Sequence, residues 1–290
     1  NKRTNIVLVG NIELFRAQMK ALKYKILLNE IYEIKQAQKS IINIINVEYK
    51  FKTAFSKISN RSNRYIEECF KFGLKLALKD KSMAIINGPV SKKHFLDKKF
   101  PGITEYVAKK TNSKDPVMLI YNEHLSVSPL TTHVPIKKVA NFIKREKIIN
   151  SINKINNFYK FKLGKFPKIA VLGLNPHCET NDKISEEKKE IIPAIKYLNK
   201  KNIIISGPYS ADSFFLKKNI NNFDVVIGMY HDQVLTPIKT LFKFNAINIT
   251  IGLPFVKITP DHGPNHEMIG KNKSDPSSIN YALKFLNKLR

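Results

Sequence analysis

Three of the seven histidines share one context. His133 sits in Thr131-Thr132-His133-Val134-Pro135, His177 in Leu174-Asn175-Pro176-His177, and His231 in Met229-Tyr230-His231-Asp232-Gln233. Each follows a short apolar run that reads as a strand. In parallel α/β sheets the loops leaving strand C-termini gather at the edge where ligands bind. Imidazoles separated by 44 and 54 residues can therefore converge there. Three neutral imidazoles that leave one position open describe a catalytic divalent-metal site. The competing reading is that each caps its own loop. His94, His124, His262 and His266 lack this context and read as structural or surface groups.

Carboxylates and cations accompany the triad. Asp232 adjoins His231 and suits orienting an imidazole or acting as a general base. Asp212, in Ser210-Ala211-Asp212 after the turn Gly207-Pro208, suits catalysis and helix capping equally. Lys239 and Lys257 lie near strand ends in the same stretch, but 44 lysines make neither informative by itself. None of the eleven glycines forms a G-x-G-x-x-G or Walker A loop, which leaves a standard Rossmann site and P-loop chemistry unsupported. No G-x-S-x-G elbow, H-E-x-x-H helix or zinc-finger spacing occurs. Cys69 and Cys178 fit no Cys-x-x-Cys spacing and suggest a reducing compartment.

The elements that must position these groups alternate. Ile6–Val9, Ile41–Val47 and Met83–Ile86 read as strands, with helices at Glu13–Leu22 and Arg61–Leu78 between them. Val117–Ile120, Leu125–Leu130, Ile169–Leu174, Ile203–Ile205, Val225–Ile227 and Ala246–Ile251 continue the strand series. Lys138–Ile152, Glu186–Leu198 and Ser278–Leu289 have helical spacing, and Asp212–Leu216 is a helical connection. The polar stretch Asn150–Lys165 suits a surface excursion. This grammar predicts an α/β fold with a largely parallel sheet.

Composition bounds the partners. The 290 residues carry 50 Lys+Arg against 23 Asp+Glu, a net charge of +27 that invites a nucleic-acid reading. Only six of those cations are arginine, the residue suited to bidentate phosphate and guanine contacts. Lys, Ile and Asn fill 111 of the 290 positions, the skew an A+T-rich coding sequence favours. Lysine pairs such as Lys188-Lys189, Lys200-Lys201 and Lys217-Lys218 are dispersed and form no single arm. The charge therefore reads as drift onto a solvated surface, and no nucleic-acid partner is expected. No apolar run reaches the ~18 residues of a transmembrane helix, so no membrane partner is expected either. The chain reads as soluble and cytoplasmic.

Longer strings carry a resemblance. Asn87-Gly88-Pro89-Val90, Thr131-Thr132-His133-Val134-Pro135, Gly173-Leu174-Asn175-Pro176-His177, Ser206-Gly207-Pro208 with Ala211-Asp212, and Met229-Tyr230-His231-Asp232-Gln233 come first. Asn248-Ile249-Thr250, Gly252-Leu253-Pro254-Phe255 and Asp261-His262-Gly263 follow in order. With these strings the chain closely resembles the 4-hydroxythreonine-4-phosphate dehydrogenase (PdxA) family over nearly its whole length. The resemblance implies an isocitrate/isopropylmalate dehydrogenase-like fold of two α/β domains, 1–98 with 269–290 and 99–268, around an active-site cleft. It implies a homodimer whose active site lies between subunits, and NAD or NADP as cosubstrate. A divalent metal, zinc first and magnesium or cobalt next, would be held by His133, His177 and His231. Substrate contacts would fall on Thr104, Lys239, Asn248 and Lys257, with Asp212 and Asp232 as acid/base or orienting carboxylates.

The implied reaction is NAD(P)-dependent oxidation of 4-phosphohydroxy-L-threonine with decarboxylation to 3-amino-2-oxopropyl phosphate, in pyridoxal 5'-phosphate biosynthesis. The sequence also departs from the family. Its N-terminal strand and Gly-Asp-Pro-Ala-Gly-Ile-Gly-Pro-Glu loop would lie before residue 1, so the chain is expected to be truncated. Gly102-Ile103-Thr104-Glu105 carries isoleucine where the family has histidine, and Lys257 stands where the family usually has arginine. The family's Gly-rich loop is replaced by Cys178-Glu179-Thr180-Asn181-Asp182-Lys183. The departures keep the first two of four alternatives open, while the histidine triad alone motivates the third and the +27 charge alone the fourth. The four are a dehydrogenase of another phosphorylated hydroxy acid or a dihydrodiol, an inactive truncated homologue, a metal-dependent hydrolase, and a nucleic-acid binder.

Overall fold

Continuous apolar runs, buried on both faces, build the central strands of the large sheet. The computed structural model describes residues 5–80, 82–96, 99–179, 185–243, 245–260 and 262–289, which leaves Thr180–Lys183 and Asp261 of the motifs above outside the described residues. Within the described residues a small sheet holds β1 (Val7–Gly10), β2 (Leu28–Glu30) and β3 (Ile42–Asn46), all parallel in the order β1-β3-β2. A large sheet holds β4 (Ala84–Ile86), β5 (Val117–Tyr121), β6 (Ser126–Thr131) and β7 (Ile169–Leu172). It is completed by β8 (Ile205–Tyr209), β9 (Val225–Tyr230), β10 (Ile247–Ile251) and β11 (Val256–Pro260), in the order β4-β11-β10-β5-β6-β9-β7-β8.

The helices are α1 (Ile12–Ala21), α2 (Asn63–Lys79), α3 (Ile103–Lys110), α4 (Val139–Phe142) and α5 (Arg145–Phe158). They continue with α6 (Ile192–Asn199), α7 (Ala211–Phe214), α8 (Lys217–Ile220), α9 (His231–Phe242) and α10 (Ser277–Leu286). Odd and even strand positions feed opposite faces of the sheet. Val117, Leu119, Ile169, Val171, Val225 and Ile227 join a core with residues of α5, α6 and α10. Met118, Ile120, Ala170, Leu172 and Val226 join a second core with Val234, Leu235 and Ile238 of α9. A third cluster, around Phe70, Leu74, Leu96, Tyr106 and Val107, packs α2 against α3.

The large sheet is rich in parallel pairs, as expected, with an antiparallel block inside it. β6, β9, β7 and β8 are parallel neighbours, and β4 pairs parallel with β11. Between these groups, β11, β10, β5 and β6 pair antiparallel. The reason lies in the connections: Gly252-Leu253-Pro254-Phe255 joins β10 to β11, too short a link for the crossover that parallel strands require.

The Asn150–Lys165 stretch is not a surface excursion. Helix α5 continues to Phe158 and then winds through a wider turn at Tyr159–Leu163 that ends on left-handed Gly164. Ile148, Ile152 and Ile155 are fully buried on one face, each contributing roughly 1.5–3 kcal/mol of apolar burial. Polar composition hid the period because Lys and Asn occupy the solvent face. The expected single helix over 138–152 is also interrupted before Arg145, whose N–H donates to Glu190 Oε2 at 2.7 Å. Among the described residues no helix is long and apolar enough to cross a membrane.

Candidate active site

The C-terminal ends of β6, β9, β7 and β8 share one edge, because the four strands are adjacent and parallel. His133 follows β6, His231 opens α9 directly after β9, His177 lies in the turn after β7, and Asp212 lies in α7 after β8. The strand-exit expectation therefore places all four groups on one edge of one sheet. Gly207 reaches that edge with φ +134, and a Cβ there would collide with the Val171 carbonyl oxygen.

The His133 and His231 rings lie 6.2 Å apart, and both line a cavity of about 190 Å³ with Thr132, Tyr230 and Asp232. His177 instead faces Asp212, with Nδ1 3.9 Å from Oδ2 and 3.4 Å from Ser210 Oγ. Each imidazole turns Nδ1 toward a carboxylate. His231 Nδ1 donates to Asp232 Oδ1 at 2.6 Å, and His133 Nδ1 lies 3.9 Å from Glu105 Oε1. The remaining nitrogen of His133, Nε2, accepts from Lys92 Nζ at 3.0 Å. Asp212 and Asp232 are exposed, and the Asp212 carboxyl is held below the usual carboxylate range by the Ser210 hydroxyl at 2.5 Å and, secondarily, by His177.

Glu105 joins two parts of the site. Burial would raise its carboxyl, but hydrogen bonding and charge from His133, its own backbone N–H and Lys92 outweigh burial and hold it low. Its Oε2 is buried without a hydrogen-bond partner. Gly102 makes room for it: a Cβ at that position would stand 2.7 Å from Glu105 Oε2 and 3.2 Å from His133 Cε1.

The expected substrate residues divide. Register places Thr250 opposite Lys257 and Asn248 opposite Thr259, so these four lie on one face of β10 and β11. Lys257 is only 1% exposed and donates to Thr259 Oγ1 at 2.8 Å and Thr250 Oγ1 at 3.4 Å. Thr104 Oγ1 lies 3.4 Å from Thr250 Oγ1, and Thr259 donates to Asn87 Oδ1 at 2.9 Å. Burial pushes the Lys257 ammonium down to about 8, against the opposing charge of Glu105. Asn248 Oδ1 is buried without a partner. Lys239 lies apart, on the exposed face of α9 beyond His231. Ile103 packs beside the α2–α3 cluster and leaves polar contact to its neighbours.

Buried Glu187 and half-buried Gln233 hold the exit loops. Glu187, 1% exposed, accepts from the Leu174 N–H at 2.7 Å, the Asn175 N–H at 2.8 Å and Asn175 Nδ2 at 2.9 Å. This framework holds His177 and Cys178 at φ 56 and 57, a left-handed pair costing on the order of 1–3 kcal/mol per residue. Gln233 accepts from the Met229 N–H at 2.6 Å and donates to the Gly173 carbonyl at 2.8 Å.

The side chains on this edge are imidazoles and carboxylates, donor types that divalent cations take. Metal-ligating histidines characteristically give their second ring nitrogen to a carboxylate, as His231 does here, whereas the carboxylates facing His133 and His177 lie at 3.9 Å and an ammonium occupies the outward nitrogen of His133. The set is not closed: among the described residues no three His, Cys, Asp or Glu side chains are grouped to hold a metal ion. Lys92, Glu105, Thr250, Glu187 and Gln233 carry this geometry without having been singled out by type and spacing. Glu105, Thr250 and Gln233 stand inside recognised strings, whereas Lys92 is one more lysine among many.

A mixed α/β sheet with histidine–carboxylate pairs along its strand-exit edge defines an enzyme of the isocitrate dehydrogenase-like fold class. The chain belongs to the pyridoxal phosphate biosynthetic protein PdxA family, whose model matches residues 2–286. It is 38% identical over 263 residues to the 4-hydroxythreonine-4-phosphate dehydrogenase of Sulfurihydrogenibium sp., covering 88% of this chain and 80% of the relative. It is 32% identical over 224 residues to the D-threonate 4-phosphate dehydrogenase of Pectobacterium atrosepticum, covering 76% and 69% of the two chains. The Klebsiella pneumoniae 4-hydroxythreonine-4-phosphate dehydrogenase structure superposes with a TM-score of 0.85 at 26% identity, covering 98% of this chain and 88% of that one. The isocitrate dehydrogenase of Methylococcus capsulatus shares the fold, with a TM-score of 0.51 at 10% identity over 97% of this chain and 84% of that one.

Proposed function

We propose that the chain is an oxidoreductase that oxidises the C3 hydroxyl of 4-phosphohydroxy-L-threonine with NAD+ or NADP+ in pyridoxal phosphate biosynthesis. Hydride passes from C3 to the nicotinamide. The resulting β-keto acid releases CO2 as its C–C electron pair moves toward the new ketone oxygen, giving 3-amino-2-oxopropyl phosphate. The observation that carries this reading is the row of three histidine–carboxylate pairs on adjacent strand exits of a chain from this family.

His133, His177 and His231 would hold a divalent metal, zinc, magnesium or cobalt, which when bound supplies Lewis acidity toward the substrate hydroxyl. Asp232 fixes the His231 tautomer by taking its Nδ1–H. Asp212, exposed and held ionised by Ser210, is available to take the hydroxyl proton. Buried Lys257 contributes positive potential beneath Thr104 and Thr250, where the phosphate would bind with Asn248, and Lys239 is the further cation this reading assigns to the substrate.

In this reading residues 1–98 with 269–290 form one unit and 99–268 the other. The Lys92–His133 contact crosses that division and supports a site in the cleft. The same reading takes the protein as a homodimer whose second copy completes the walls of the 190 Å³ cavity.

The test is NAD(P)H formation from 4-phosphohydroxy-L-threonine, with and without a chelator, alongside His231→Ala. No turnover with metal supplied would sink the reading. The D-threonate 4-phosphate dehydrogenase relative, together with Ile103 and Lys257 in place of the family residues, favours a second reading: oxidation of a related phosphorylated hydroxy acid. Turnover of threonate 4-phosphate in preference to the amino acid would establish it.

A further inference from the structure

The large sheet has a second concave place, at the edge opposite the histidines. A cavity of about 500 Å³ opens there between the β5–β6 turn, the start of β10, the end of α9 and α10. That volume lies within the ~300–1,000 Å³ of ordinary small-ligand pockets. The cavity shares no residue with the one beside His133 and His231. Helix α9 spans the separation: its 12 residues, from His231 to Phe242, cover about 18 Å.

The walls are aromatic, and their polar tips are unspent. Tyr121 meets Phe285 with ring centroids 4.6 Å apart, and His124 stacks on Phe242 at 6.0 Å with an interplanar angle of 12°. Tyr121 and Tyr281 are half-buried, and among the described residues neither phenol hydroxyl has a hydrogen-bond partner. The charge is one-sided. Exposed Lys243 and Lys284 line the cavity without an ion pair among the described residues. Glu123, the one carboxylate among the described lining residues, is already paired with Lys288 at 2.6 Å. Aromatic walls take a ring by stacking and apolar burial, and the two ammoniums favour a doubly charged anion.

We propose that this cavity is a second ligand site, remote from the reaction, for an aromatic phosphate monoester. The ligand's ring lies against Tyr121 and Phe242, and its phosphate is held by Lys243 and Lys284. A phosphate without a ring would leave the aromatic wall uncovered, and a neutral ring would leave the ammoniums unmatched. The site stands on these residues alone, whichever reading of the reaction holds.

Fluorescence titration of the full chain with pyridoxine 5'-phosphate provides the test, since this heteroaryl phosphate has no aldehyde to react with the many lysines. Binding should saturate at one site and be at least about tenfold tighter than that of pyridoxine or of glycerol 3-phosphate. Lys284→Glu and Lys243→Glu, made separately, should each weaken it about tenfold with the unfolding midpoint unchanged. Lys20→Glu, the same charge change on α1 beside the small sheet, should stay within about twofold. Excess 4-phosphohydroxy-L-threonine, which has no ring, should not displace the probe. No saturable binding, equal affinity for either fragment, or unchanged affinity in both cavity-lysine variants overturns the proposal. Displacement by 4-phosphohydroxy-L-threonine overturns it too, because the probe would then occupy the reaction site.

Discussion

Gln233 Nε2 lies 2.8 Å from the Gly173 carbonyl oxygen, so the first turn of α9 is tied to the exit of β7. The same side chain accepts the Met229 N–H through Oε1. One amide thereby holds the loop bearing His231 against the loop leading to His177. Gln233→Ala removes both bonds and leaves the Met229 N–H without its partner. A stability loss of about 1–3 kcal/mol is expected, with weaker Zn2+ binding. Urea unfolding and Zn2+ titration on one preparation check both.

The Asp232–His231 pair at 2.6 Å should matter for metal affinity more than for stability, because Asp232 is exposed. Asp232→Asn keeps the shape but weakens the acceptor for Nδ1–H. Affinity for Zn2+ should fall about 10- to 100-fold with the unfolding midpoint nearly unchanged. An unchanged metal Kd would remove Asp232 from the site.

Glu187 ties pH to folding. Its folded carboxyl sits below the ordinary value of 4.5 because hydrogen bonds from Asn175 and Leu174 outweigh the burial that would raise it. A carboxyl lowered on folding contributes stability that is complete above its unfolded value and is lost as pH falls through the folded one. Glu187→Ala should therefore cost roughly 3 kcal/mol at neutral pH and unfold with a flatter pH dependence below 4.5. Chemical denaturation across that acid window reads the difference.

Lys257 has the opposite sign. It is charged in both states below about 8, where burying the ammonium costs stability, and that penalty disappears as pH rises to 10.5, where the unfolded lysine also becomes neutral. The shift corresponds to a penalty on the order of 3 kcal/mol. Lys257→Met should raise the unfolding midpoint at neutral pH and abolish the stability gain between about 8 and 10.5. It should also raise KM for the phosphorylated substrate, since the site loses its buried cation. Thermal unfolding against pH, with steady-state kinetics, separates the two effects.

Much of the edge carrying the chemistry was legible from local pattern. The apolar run from Val225 to Met229 followed by His231, and the run from Ile169 to Leu172 followed by Asn175-Pro176-His177, announce strands and their exits through side-chain period and turn formers alone. Helix α9 was not legible: Pro237 lies inside it, and Val234, Leu235 and Ile238 supply too short an apolar stripe. Strand β11 was hidden by Lys257, a charge at a fully buried position. Asn150–Lys165 misled for the reverse reason, since its polar residues cover one side of a helix whose other side carries Ile152, Ile155 and Phe158.

The sequence by itself determined which residues leave strands, and with them the α/β class and the candidate triad, because period and breakers act over a few neighbouring residues. Only the tertiary structure decided the partnerships. Lys92 meets His133 across 41 residues, Thr104 meets Thr250 across 146, and Asn87 meets Thr259 across 172. Such pairs depend on strand order and register, where shifting a strand by one residue turns every side chain to the other face. The same packing makes Lys257 a buried, weakened base and leaves Lys239 on the surface, although both are lysines near strand ends. Burial sets the electrostatic cost of a charge, and burial belongs to the assembled fold rather than to any stretch of chain.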